Sequence, residues 1–172
     1  MKAQYIRAMD ALHRACLIVA GACLVIITLI VPWGVFTRYV LNSAASWPEP
    51  MAVLLMIVLS FLSAVVCYRE YLHIGVGVLP AFLGEPAKTY LGLVLEACML
   101  VTNLFMLLWG IRLVQTTWYQ SIAELPILSA GVAYLPIPIA GGLTVLFVIE
   151  RFLTQRFFQE PEPETVSQLS TE

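Results

Sequence analysis

The sequence predicts an all-α integral membrane protein, with four transmembrane helices, an interfacial segment between spans two and three, and both termini cytoplasmic. Three observations predict it. Of 172 residues, 60% are hydrophobic and only 12% are charged, with a mean hydropathy of +0.89; a soluble domain carries roughly 25% charge. Four apolar runs, at about 15–36, 51–68, 90–114 and 132–149, are each long enough to cross a hydrocarbon core of about 30 Å. Polar and aromatic residues gather at the ends of those runs, where spanning helices meet water and headgroups. The organisation expected is a lead-in at 1–14, a single transmembrane domain at 15–156, and a disordered cytoplasmic tail at 157–172.

The lead-in carries Lys2, Arg7, His13 and Arg14, while Ile6, Met9 and Leu12 recur at helical spacing, which predicts a short interfacial helix. The run from Ala15 to Phe36 exceeds the apolar core of a signal peptide, about 7–15 residues. It has no evident small-residue cleavage site before Arg38, so it reads as a retained span. Gly21 and Ala22 are small enough for close helix contact. Pro32 lies late in the run, where a kink is tolerable, and Trp33 and Tyr39 suit an aromatic belt.

Ser46-x-x-Glu49 has the form of a capping box before the second span. With Ser46 as cap, Pro50 removes the first intrahelical bond. With Trp47 as cap, Pro48 and Pro50 both fall in the first turn, where no donor is missed. In either case Glu49 lies near the helix's positive end, which favours a carboxylate.

The second span, Met51 to Tyr68, closes on Arg69, Glu70 and His73. The connection that follows has too few consecutive apolar residues to span. Leu79, Phe82 and Leu83 place it in the interface. The third span, Tyr90 to Val114, contains Glu96 and ends near Arg112. Gln115 to Gly131 reads as a polar-aromatic loop. The fourth span enters through prolines and then small residues, and closes on Glu150, Arg151 and Arg156. The tail from Gln159 is acidic and polar, a composition that cannot bury a core.

Lys and Arg set the orientation. Seven lie in the N-terminal segment, the connection after span two and the C-terminal segment, against two in the other loops. By the positive-inside rule both termini are cytoplasmic.

Glu96 is the acid well inside an apolar run, and intramembrane ionisable groups are costly and often functional. Its depth of about two turns lets a carboxylate reach the cytoplasmic interface, so a structural role in partner or lipid contact competes with one on an ion path. Arg38 has the position of a snorkelling anchor and could pair with Glu49 across their shared loop. His13 and His73 sit at or beyond the span edges, unlike facing haem ligands. Cys16, Cys23, Cys67 and Cys98 form no C-x-x-C pair and pack as small apolar residues. No nucleic-acid motif, basic cluster, metal-binding or nucleophile signature is present. The residues therefore describe an accessory membrane subunit with no catalytic group and no cofactor. The readings set against it are a four-span membrane oxidoreductase, a haem carrier and a self-contained small exporter.

The order Arg38-Tyr39-Val40-Leu41, Trp47-Pro48-Glu49-Pro50, Phe61-Leu62-Ser63-Ala64 and His73-Ile74-Gly75-Val76 resembles the DctQ-like small membrane subunit of tripartite ATP-independent periplasmic (TRAP) transporters. That family shows an Arg after the first span, then W-x-E-E, a small-residue patch, H-I-x-V and a proline-marked entry to the last span, as at Glu124-Leu125-Pro126-Ile127 and Tyr134-Leu135-Pro136 here. The resemblance covers roughly 15–156. Pro50 replaces the second acid, and Ser63 and Ala64 stand where Gly is common. The resemblance implies a scaffold that braces a large multi-span subunit in the bacterial inner membrane. That partner would carry the substrate and sodium sites and take up an organic carboxylate delivered by a soluble periplasmic binding protein. Arg38, Trp47, Glu49 and His73, with Glu96, become candidates for partner-interface or lipid positioning.

Overall fold

The protein was analysed as a computed structural model that describes residues 2–43, 45–70, 85–122 and 125–154. The expected interfacial connection after span two, His73 within it, and the tail all lie outside the described residues. The elements are helix α1 (Lys2–Tyr39), helix α2 (Pro48–Arg69), helix α3 (Glu85–Thr117), strands β1 (Ser121–Ile122) and β2 (Leu125–Ser129), the short helix α4 (Ala130–Tyr134) and helix α5 (Pro136–Thr154). Four candidate spans result, at Gln4–Tyr39, Pro48–Arg69, Tyr90–Thr117 and Ala130–Phe152.

The lead-in and the first span form one helix of 38 residues. No Gly or Pro interrupts the apolar period between Ile6 and Ala20, so the helix propagates through the expected boundary. Pro32 sits inside it. The helix ends where Asn42 takes a left-handed φ of 49°. There the Val40 and Leu41 N–H groups donate to the Phe36 carbonyl, and the Ser43 N–H donates to that of Thr37. At the start of α2 the capping box does not form. Trp47 is the N-cap with no side-chain cap bond, and the Met51 N–H donates to the Trp47 carbonyl at 3.1 Å. Both prolines thus occupy the first turn.

The polar-aromatic loop holds more structure than its composition indicates, and it departs from an all-α description. β1 and β2 pair antiparallel, Ser121 opposite Ser129 and Ile122 opposite Leu125. The Ala130 N–H closes the hairpin on the Gln120 carbonyl at 2.7 Å. Two residues separate the strands, a length that suits a tight hairpin. The last span is built from α4 and α5, joined at Leu135, whose N–H reaches the Gly131 and Val132 carbonyls. Pro136 and Pro138 follow, in the first turn of α5, where their missing donors cost nothing.

α1 packs along α2, and α3 along α5; α2 joins these two pairs by packing on α5, while α1 touches α5 lightly. Contacts at opposite ends give the directions. Gly34, late in α1, meets Pro48 at the start of α2, and Gly110, late in α3, meets Pro138 at the start of α5. Each pair is therefore antiparallel. The core is Met9, Val65, Tyr68, Ala140, Phe147 and Val148. Of the last span's most apolar window, 39% is buried, against 17–22% in the other three spans, so α5 is the central helix.

Close approach between α3 and α5 requires glycine. A Cβ on Gly141 would stand 2.9 Å from the Asn103 carbonyl oxygen and 3.0 Å from the Leu107 backbone nitrogen. Gly21, expected to be a contact point, has nothing within 4 Å and faces outward. Backbone proximity is what small residues supply in a membrane, where apolar surface has no preference for a neighbouring helix over lipid. Gly141→Val is accordingly expected to destabilise the protein by about 1–3 kcal/mol, and Gly21→Val to leave it near wild type. Thermal unfolding of the detergent-solubilised chain measures both; equal midpoints would mean that α3 and α5 do not pack through Gly141.

Candidate functional site

Charged residues from all four long helices meet at one end of the bundle. Each follows from where its span stops. α2 ends on Arg69 and Glu70, α5 brings Glu150 and Arg151 near its last turn, α1 supplies Asp10 and His13 early in its length, and α3 supplies Glu96. Antiparallel packing within the pairs, with α2 parallel to α5, brings these positions to the same level.

Two arginines organise the cluster. Arg69 Nη2 donates to Asp10 Oδ1 at 2.6 Å, and its Nε and Nη2 donate to the two Glu150 oxygens at 3.2 and 3.0 Å. This is the two-pronged geometry that a guanidinium offers a carboxylate. Its guanidinium also lies 5.2 Å from the centroid of the Phe147 ring. Arg69 thus links α1, α2 and α5.

Arg151 Nη1 donates to Glu96 Oε1 at 2.7 Å, and its Nη2 donates to the Tyr68 carbonyl. Its guanidinium stacks 4.1 Å from the Tyr68 ring centroid, and the Tyr68 hydroxyl donates to the other oxygen of Glu96. Arg151 thus links α5, α3 and α2. Glu96 is 5% exposed and Tyr68 3% exposed, so this ion pair is closed to solvent. Tyr5 adds a bond from α1, its hydroxyl donating to the Leu146 carbonyl at 3.0 Å. His13 Nε2 lies 3.2 Å from Glu70 Oε1, close enough for a charge contact but without hydrogen-bond alignment.

A lone carboxylate in an apolar bundle is costly, and pairing with hydrogen bonding removes most of the penalty. Glu96 has both. Its side chain faces the bundle's own helices, and the arginine that neutralises it comes from α5, 55 residues away. Arg38, Trp47 and Glu49 are exposed at the other end, and Arg38 and Glu49 form no ion pair. Their shared loop does not join them.

Sequence reasoning missed Asp10, Tyr68, Arg69, Glu150 and Arg151. The available signal was their common level. Alternating spans bring the start of α1, the end of α2 and the end of α5 together, with acids and arginines in opposite sign. The four cysteines are free. Among the described residues no group of three His, Cys, Asp or Glu side chains is placed to hold a metal.

The opposite end is aromatic. Phe105 stacks on Trp109 at 4.7 Å, Arg112 lies 5.5 Å from a Trp109 ring centroid, and Trp33 and Phe36 stand 5.9 Å apart. Trp118 and Tyr119 are exposed beside the hairpin.

These features define a polytopic helical membrane protein whose buried charges are neutralised by its own helices. The chain belongs to the DctQ component family of tripartite ATP-independent periplasmic transporters, whose family model matches residues 27–157. A Haemophilus influenzae protein provisionally named a TRAP transporter small permease protein is 28% identical over 153 residues, covering 86% of this chain and 91% of that protein. The family's business is transport rather than catalysis.

The closed pair makes a specific expectation. Arg151→Leu leaves Glu96 buried without its cation and is expected to cost about 3–5 kcal/mol, while the double variant Arg151→Leu/Glu96→Leu recovers most of that loss. Unfolding of the single and double variants in detergent gives the coupling. Additive losses would mean that the two side chains do not act as a pair.

Proposed function

We propose that this chain is the small, scaffold subunit of a TRAP transporter. It braces a larger multi-span subunit in the bacterial inner membrane, with both termini cytoplasmic. The larger subunit carries the substrate and sodium sites, and a soluble periplasmic protein delivers the substrate, an organic anion of the carboxylate class. The observation that carries this reading is the pair of arginines, Arg69 and Arg151, that tie four helices together from within. A transport subunit that moves substrate keeps ionisable groups on its pathway. Here Glu96 is committed to Arg151 and Tyr68, which suits a frame better than a pathway. Sliding one domain past another requires a partner that does not deform, and internal ion pairs resist deformation.

Membership of the DctQ family supports the association with other transporter components. The low burial of α2 and α3 leaves apolar area for a second membrane protein. Arg38, Trp47 and Glu49, exposed together at one end, are proposed as partner-interface or lipid-positioning residues, and His73 joins them from the sequence pattern alone.

Affinity purification of the tagged chain from its native membranes in mild detergent, followed by mass spectrometry, tests the reading. A large multi-span protein in roughly one-to-one ratio is the expected result. Vesicles containing the chain alone are expected not to transport. A chain that purifies alone and transports by itself, with loss on Glu96→Gln, would overturn the scaffold role in favour of a self-contained exporter.

A further inference from the structure

Among the described residues, the arginines at the ion-pair end divide into two sets. Arg69 and Arg151 are fully engaged by carboxylates and rings. Arg7 and Arg14, on α1, are exposed and have no ion pair, hydrogen bond or ring contact among the described residues. No acid of their own helix is left for them: Asp10 is the only acid before Glu49, and Arg69 holds it at 2.6 Å.

Arg7 and Arg14 also share a face. A spacing of seven residues returns to nearly the same side of a helix, about 10 Å further along it. This face continues through Ile18, Val25 and Leu29, at steps of four, seven and four residues, exposed by 70%, 60% and 67%. The opposite side of α1 carries the buried Met9, Cys16, Ala20 and Cys23 and meets α2. This outward face is therefore mainly apolar through the span and cationic at its end. A medium that takes hydrocarbon along most of its depth and negative charge at its edge is an anionic phospholipid leaflet. A water-soluble acidic partner would fit the arginines but not the apolar stretch.

We propose that Arg7 and Arg14 form a site for the headgroup phosphates of anionic phospholipid, whose acyl chains lie along the outward seam of α1. A planar guanidinium presents paired donors to phosphate oxygens. Both side chains have stems long enough to follow the headgroup layer while their helix tilts. The site holds the long helix at a defined depth and does not draw on the cluster around Arg69. It rests on the chain crossing a membrane and is independent of the scaffold role.

Native mass spectrometry of the full detergent-solubilised chain, titrated with phosphatidylglycerol and with phosphatidylcholine, tests it. Wild type is expected to retain phosphatidylglycerol in preference. Arg7→Gln/Arg14→Gln is expected to weaken that retention roughly tenfold or more. Equal retention of the two lipids by wild type, or undiminished phosphatidylglycerol on the double variant, overturns the proposal. So does a double variant that keeps phosphatidylglycerol but loses a co-purifying protein, which would assign the arginines to an acidic protein surface. If the double variant does not fold, Arg7→Lys/Arg14→Lys and wild type in high salt replace it. Retained selectivity in the lysine variant with loss in salt supports the site, and salt-independent selectivity overturns it.

Discussion

A carboxylate that ends up inside an apolar bundle needs a cation brought to it, and this requirement fixes how the four helices stand. Glu96 on α3 is satisfied by Arg151 of α5 and the hydroxyl of Tyr68 on α2. Arg69 of α2 is satisfied by Glu150 of α5 and Asp10 of α1. Neither arginine can be relocated by a helical turn without leaving a charge unpaired in a low-dielectric setting, where the penalty is several kcal/mol. Axial sliding of any long helix relative to the others is thus opposed electrostatically. Apolar contacts between helices in lipid provide no comparable restraint on register.

The two ends of the bundle are held by different physics. At one end, ion pairs and stacking of guanidinium on Phe147 and Tyr68 act over side-chain length. At the other, glycines sit close against prolines, Gly34 against the Pro48 ring and Gly110 against the ring and backbone nitrogen of Pro138. The first kind of contact specifies register and the second specifies distance. α5 takes part in both, packing along α3 and against α2, and its span is the most buried.

Much of this was legible in the sequence, and the rest was hidden for definite reasons. The four spans follow from the length of apolar runs, because a bilayer core sets a minimum that few soluble elements meet. The sequence leaves the cap open between Ser46 and Trp47, and the structure takes the Trp47 alternative, in which both prolines fall in the first turn. The lead-in and the first span form one helix, since amphipathic and apolar stretches share one helical period and nothing between them stops a helix. The hairpin was missed because two residues in β1 leave no alternation to detect. The ion pairs join residues 55, 59 and 81 positions apart, so no local pattern encodes them. Gly21 and Gly141 look alike as letters. One faces outward and the other touches a backbone, and only the packing of α3 on α5 distinguishes them.

Locking charges into internal pairs has a further consequence for a membrane subunit. Had Glu96 faced outward, neutralising it would have required a cation from lipid or from another protein, and the fold of this chain would have depended on which neighbour was present. With Arg151 supplied from within, the bundle keeps its shape whatever lies against it. The outward surface is then free to be almost wholly apolar along the spans and charged only at its edges, as on the face of α1 that runs from Arg7 to Leu29. A chain built this way carries its rigidity internally and contacts its surroundings through area, which is the arrangement a membrane frame needs and a transport pathway does not.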